Sequence, residues 1–302
     1  MTARAARATT RRVGLRRTAV IRRIHDPEDI RPQLEAEQAY AAYAIAHLDP
    51  QMFHLAEFYE AAAGDRRAIL MHARGGLGPS GVTLGDPALV SALLRLHPGP
   101  RQSYLTCEPA QVDSILMDYD LWRPQTMLRQ QLLREDFSPP PGALPVRRLI
   151  DADAQDLNAL YAIEEEGLRY SGRQVNEGIY FGAHHRGRLV AAAGTHVFSA
   201  HEGVAVIGNV FTHPDFRGRG LATATTAGVA NFVLRHCDLV VLNVDPANRT
   251  ARHVYERLGF KDTGRLVEAM ATRRGAMSPL PSLRRIAARW RANTPYTEVV
   301  EL

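Results

Sequence analysis

Four prolines fall within Ser138-Pro139-Pro140-Pro141-Gly142-Ala143-Leu144-Pro145, near the middle of the chain. Proline has no amide hydrogen for a helix interior or a central strand, and its ring holds the backbone near polyproline geometry. No helix or inner strand can run through this stretch, so the fold must be built from blocks on either side of it. It reads as a short, semi-rigid linker. The organisation expected is a basic, disordered tail at 1–23, an N-terminal domain at 24–137, the linker at 138–145, a second domain at 146–270 and a basic C-terminal extension at 271–302. Each domain is long enough to bury its own core.

The second block has the clearer periodicity. After an extended run at 146–149, apolar spacing predicts a helix over 154–165, with Asp151 or Asp153 available to cap it. Strands are predicted at 178–184 and 189–198, joined through an Arg186-Gly187 turn, and at 204–212. A helix then leads up to His236. Leu239-Val240-Val241-Leu242-Asn243-Val244 is a near-continuous apolar run, as in a central strand buried on both faces. A last helix carries Ala251, Val254, Tyr255 and Leu258, with Gly259 as its C-cap. The first block repeats this order more faintly, with strands at 68–72 and 82–84, helix 88–96, strand 103–107, helix 110–117 and strand 122–128. A structural duplication with little sequence similarity left is expected.

Between the 204–212 strand and the next helix lies Arg217-Gly218-Arg219-Gly220-Leu221-Ala222. Small residues let consecutive N–H groups turn into one space, and the helix N-terminus adds partial positive charge, an arrangement suited to a pyrophosphate. Taken alone, the hexapeptide is equally an ordinary glycine-rich turn that starts a helix. A dinucleotide fingerprint would need a third small residue where Thr223 stands, and no Gly-Lys-Ser/Thr follows for a nucleoside-triphosphate loop. With its surroundings it says more. VIGNVFTHPDFRGRGLA, LNVDPAN and RTARHVYERLGF, in that order, closely resemble the Gcn5-related N-acetyltransferase (GNAT) superfamily. The nearest likeness is to the branch similar to the C-terminal domain of glycine N-acyltransferases, over about 145–270.

The resemblance implies an α/β (α+β) protein of tandem acyl-CoA N-acyltransferase folds, each a mixed central sheet flanked by helices, with a degenerate N-terminal copy. It implies acetyl-CoA (acyl-CoA) as cosubstrate and no metal. Arg217, Gly218, Arg219, Gly220, Leu221 and Ala222 would bind the pyrophosphate. Val210, Phe211 and Thr212 would end the strand whose open backbone pairs with the pantetheine arm, and Asn248 would contact that arm. Tyr255 would protonate the departing thiolate, a role open to a phenol that stays protonated at pH 7; by itself it reads as a core aromatic. Many relatives carry a glutamate base on the strand before the loop, and here Val206 takes that place. His196, with an unperturbed pKa near 6.5, is the first alternative base, and Glu165 and Glu166 are the next. In the first block, Glu108 aligns with Asn248 and Ile115 with Tyr255, while Asp86 falls where phosphate would bind. That copy is expected to be non-catalytic and to help wall the acceptor site.

Charge adds little to this picture. The chain has 37 basic and 32 acidic residues, but 1–23 alone carries +8, 271–302 carries +4, and 24–270 carries −7. A basic groove in a folded domain is not expected, and neither is a nucleic-acid partner. No apolar run approaches the length of a membrane span. The arginine tract lacks the apolar core of a secretory signal, and Cys107 and Cys237 form no paired motif, so a reducing, cytoplasmic setting is expected. The function expected is N-acyl transfer to a primary amine of a small molecule or peptide by direct attack in a ternary complex, by a monomer or homodimer. The alternative is a non-catalytic acyl-CoA sensor. A weaker third reading makes the tails an anionic-surface adaptor, through a basic amphipathic helix at 283–290.

Overall fold

The computed structural model describes residues 18–75, 78–142, 144–164, 169–274 and 297–301. The first half runs β1 (Thr18–Ile24), α1 (Arg31–Glu35), α2 (Gln38–Ala46), β2 (Ala56–Ala63), β3 (Arg66–Gly75), β4 (Gly78–Gly85), α3 (Pro87–Leu96), β5 (Gln102–Cys107), α4 (Val112–Leu116) and β6 (Tyr119–Leu133). The second runs β7 (Arg147–Arg148), α5 (Ala154–Tyr161), α6 (Gly172–Glu177), β8 (Phe181–His185), β9 (Arg188–Ser199), β10 (Val204–Thr212), α7 (Leu221–Val233), β11 (Leu239–Val244), α8 (Arg249–Leu258) and β12 (Lys261–Arg273). The order of strands and helices is the same in both. A final strand, β13 (Thr297–Glu301), follows.

Strand pairing repeats too. β1–β2–β3–β4 and β7–β8–β9–β10 are antiparallel runs, and each continues into a parallel neighbour, β4 to β5 and β10 to β11. The halves then exchange their last strands. β6 pairs with β11 of the second half from Leu133↔Leu239 to Leu128↔Val244. β12 pairs with β5 of the first half from Cys107↔Val267 to Gln102↔Thr272. β6 and β12 lie side by side at the centre, which makes one sheet of thirteen strands among the described residues, in the order β13-β1-β2-β3-β4-β5-β12-β6-β11-β10-β9-β8-β7.

Two expectations change as a result. The described residues of the linker carry no strand or helix, yet it does not separate two sheets, because the strand before it belongs to the second half's ladder. The tails are also shorter than read. β1 begins at Thr18, inside the expected 1–23 tail, and β12 and β13 take 271–273 and 297–301 of the expected extension, with β13 pairing along β1. The helix read at 283–290 lies outside the described residues. Ala56–Ala63, with three consecutive alanines, has a helical composition but forms β2, since Phe58 and Tyr59 are buried on opposite faces of the sheet.

Helices cover both faces. On one, α2 bridges the halves: Ala41, Ala44 and Ile45 share a buried cluster with Ile69, Met71 and Val82 of the first half and with Val204, Val206 and Val241 of the second. On the other, α7 and α8 bury Ala205, Ile207, Val240 and Leu242, while α3 and α4 pack on the first half's strands. A fragment spanning 138–302 lacks β6 and leaves the apolar edge of β11 unpaired. It should aggregate when expressed alone and become soluble when co-expressed with 1–137. A monomeric fragment with a cooperative melt would contradict the exchanged pairing.

Candidate functional site

The parallel ladder between β10 and β11 stops at Ile207↔Leu242, although β10 continues to Thr212. β9 still supports the far edge of β10 at Phe211↔Ala192 and Thr212↔Ala191. A bulge at Asn209 (φ 54°) shifts the register and is pinned by the Tyr161 hydroxyl, which donates to the Asn209 carbonyl at 2.5 Å. Beyond Ile207, Val210, Phe211 and Thr212 are half-buried, with no β11 partner for their backbone. The result is a slot between diverging strands.

The loop beyond β10 opens at one end of this slot. Gly218 (φ 75°) and Gly220 (φ 76°) both have left-handed backbone, and Gly220 stands at the N-cap of α7 with no side chain capping the helix. The first amides of α7 are therefore free of side-chain acceptors, and the loop around them is exposed. Arg217 and Arg219 flank it. Arg217 donates through Nε to the Thr212 carbonyl at 3.1 Å and pairs with Glu164. Arg219 donates to the Asp215 carbonyl at 3.1 Å and lies over Phe216. At the start of α8, the Asn248 carboxamide oxygen accepts from Ala251 N at 3.0 Å. Tyr255 is buried beside Leu258 and Phe260, and burial pushes its phenol up to about 12.

The first half shows the same places filled. At the start of α3, Asp86 accepts from Ala88 N and Leu89 N at 3.0 and 3.1 Å, so the helix amides are satisfied internally by a carboxylate. Glu108 precedes α4 as Asn248 precedes α8, and it ties the strand ends together by accepting from Gly85 N at 3.2 Å and Gln111 Nε2 at 2.6 Å. Ile115, fully buried, stands where Tyr255 stands in the second half. Among the described residues, the helix-start amides that could receive an anion have no side-chain acceptor in one copy and are held by Asp86 in the other.

The expected bases fare differently. Val206 is 4% exposed, in the apolar cluster shared with α2, where an unpaired glutamate carboxylate would be costly to bury. Glu165 and Glu166 lie outside the described residues. His196 is the extra residue of a bulge opposite Val206 and Ile207. Its side chain is exposed and lies over Gly208. A Cβ on residue 208 would fall 1.9 Å from its Nε2. The reason for choosing it does not hold there, because desolvation and the Arg129 charge lower its pKa to about 4.

Sequence reasoning missed a second polar group at the same opening. Asn243, the residue after the last position of β11 paired with β10, donates from Nδ2 to Glu268 Oε1 at 2.6 Å, and Tyr104 donates to Oε2 at 3.1 Å. Arg129 of β6 is 3% exposed; it donates to the Tyr40 carbonyl at 3.3 Å, while its Nε and Nη1 have no partner among the described residues. The available signal was Leu266-Val267-Glu268-Ala269-Met270-Ala271, an acid set inside an apolar strand run. Among the described residues no cluster of His, Cys, Asp or Glu could hold a metal ion, and no helix is long and apolar enough to cross a membrane.

An uncapped helix start beside a splayed parallel strand pair could receive an extended ligand with an anionic end. The model of the acetyltransferase (GNAT) family matches residues 133–260. Over 86 residues the chain is 42% identical to a mycothiol acetyltransferase of Thermobispora bispora, a match covering 27% of this chain and 29% of that protein. A GNAT-family protein of known structure from Novosphingobium aromaticivorans superposes with a TM-score of 0.54 at 23% identity, over 76% of this chain and 95% of that one. A tandem GNAT protein from the clavulanic acid biosynthesis pathway does so with 0.52 at 17% identity, over 85% and 99%. Residues 133–260 thus match the GNAT family model, and the fold of the whole chain is similar to that of the tandem structure.

Proposed function

We propose that the protein is an acyl-CoA-dependent N-acyltransferase, with acetyl-CoA as donor and a primary amine as acceptor, using the second half's site alone. The observation that carries this reading is the contrast at the two helix starts: α7 is uncapped beside an open slot, while α3 is closed by Asp86. The backbone amides of Gly220–Ala222 with Arg217 and Arg219 would take the pyrophosphate. The free backbone of Val210, Phe211 and Thr212 would pair with the pantetheine amides, with Asn248 across the slot. This aims the thioester at the end of the slot beside Gly208 and Asn243. The amine attacks the carbonyl carbon, the C–N bond forms and the C–S bond breaks.

Tyr255 then donates to the sulfur. A phenol raised to about 12 is a weaker acid than a thiol, so full transfer would run uphill on its own. It is balanced when the phenol regains a proton from the new amide nitrogen. No cysteine nucleophile is needed: burial raises Cys107 and Cys237 to about 12 and keeps both as thiols.

A thiol-release assay with acetyl-CoA and a panel of amines tests the reading, with the acylated amine identified by mass. A sensor that binds acetyl-CoA without turnover is the second reading, favoured by the absence of a carboxylate at Val206, and it would release no thiol with any amine. Glu164 competes with phosphate for Arg217 across an exposed pair, an interaction of small strength. Glu164→Gln should therefore tighten acetyl-CoA binding only modestly, by about 2- to 5-fold, in a calorimetric titration.

A further inference from the structure

The slot ends between Gly208 on β10 and Asn243 on β11, the first residues past the paired ladder. Two proton-accepting side chains stand there on the same face of the sheet. His196 covers Gly208, and the Glu268 carboxylate is held on Asn243. Glu268 reaches the opening only because β12 and β6 are exchanged into the centre of the sheet. Each of its oxygens accepts one hydrogen bond, from Asn243 and from Tyr104, which leaves acceptor capacity on both.

We infer that Glu268 is the proton acceptor of the acyl transfer proposed above, and that the acceptors are amines arriving as ammonium ions. The inference rests on that reading of the site. An ammonium group docks on the carboxylate by a charge-assisted hydrogen bond and gives up one proton to it, exposing the nitrogen lone pair to the thioester. Of the three N–H protons, Glu268 passes one to solvent, one stays on the amide and one ends on the thiol through Tyr255. The groups facing Glu268 are Arg129 of β6, Tyr104 of β5, Asn243 of β11 and Tyr40 of α2, and the Arg129 charge also reaches His196 of β9. Burial raises the proton affinity of Glu268 more than Asn243, Arg129 and Tyr104 lower it. Desolvation and the Arg129 charge depress that of His196. Of the two, the carboxylate is the competent base. Tyr104, Arg129 and Tyr40 come from the first half, which gives the degenerate copy a part in the chemistry.

The test is the full-length Glu268→Gln variant, whose carboxamide oxygen can still accept from Asn243 or Tyr104. It is assayed with an alkylamine, protonated at neutral pH, and with a weakly basic arylamine or acyl hydrazide that is not. For the alkylamine, kcat/KM should fall about 100- to 1,000-fold, and the acid limb of the wild-type pH profile should disappear. For the unprotonated amines it should change by only a few fold, and Glu268→Asp should restore part of the alkylamine rate. Equal losses with both amine classes would overturn the assignment in favour of a structural role, as would no loss with either. If the wild-type protein binds acetyl-CoA but acylates no amine, the acyltransferase reading itself falls, and the role of Glu268 with it.

Discussion

Calorimetric titration of the Gly220→Asp variant with acetyl-CoA should show affinity reduced by about a hundredfold or more. The start of a helix carries roughly half a positive charge on its free amides, and α7 leaves those amides uncapped. An aspartate there puts a negative charge on the surface where the pyrophosphate would lie and offers the amides an internal acceptor. Asp86 already does this at α3, holding two helix amides. Aspartate is among the residues that tolerate left-handed backbone, and a Cβ at 220 meets only Leu144, at 3.9 Å, so the fold should survive. The melting temperature should fall by no more than a few degrees while binding is lost. Gly220→Ala separates the two effects: left-handed alanine is strained by about 1 kcal/mol, so it should melt earlier, with a smaller loss of binding because no charge is added. Binding of acetyl-CoA to Gly220→Asp at full affinity would mean that the cradle lies elsewhere.

The second large effect should come from Tyr255→Phe, with kcat down about 100- to 1,000-fold and acetyl-CoA affinity unchanged. The ring packs against Phe260 with centroids 5.9 Å apart, and phenylalanine keeps that contact, so the loss isolates the hydroxyl. Its pKa of about 12 means that the phenol is protonated across the working range. The wild-type kcat profile should therefore show no alkaline limb from this group below about pH 11, and the variant should lose rate evenly across pH. A variant with full kcat would show that the thiolate leaves without this proton.

Much of the second half was legible because its signals are local. β10 and β11 were read at 204–212 and 239–244, and both stand there, since apolar runs bounded by turns encode strands without reference to partners. The helix predicted over 154–165 is shorter, ending as α5 at Tyr161. Asp153, read as a possible cap, instead accepts from Arg147 at 2.6 and 2.8 Å and from Ile150 N. The faint duplication in the first block was readable from element order, while β1, α1, α2 and β2 were missed, because packing across the sheet overrides their weak local preference.

What the sequence determined by itself is the short-range chemistry: a strand, a glycine loop and an uncapped helix in succession, and in the first half the same succession with an aspartate in the gap. These follow from backbone sterics and hydrogen-bond valence over a few residues. The tertiary structure alone decided the far side of the site. It exchanged β6 and β12 between the halves, laid α2 over Val206, and brought Glu268, Asn243, Arg129 and His196 to one opening. Those neighbours are far apart along the chain and meet only through strand pairing and burial, which no local pattern records.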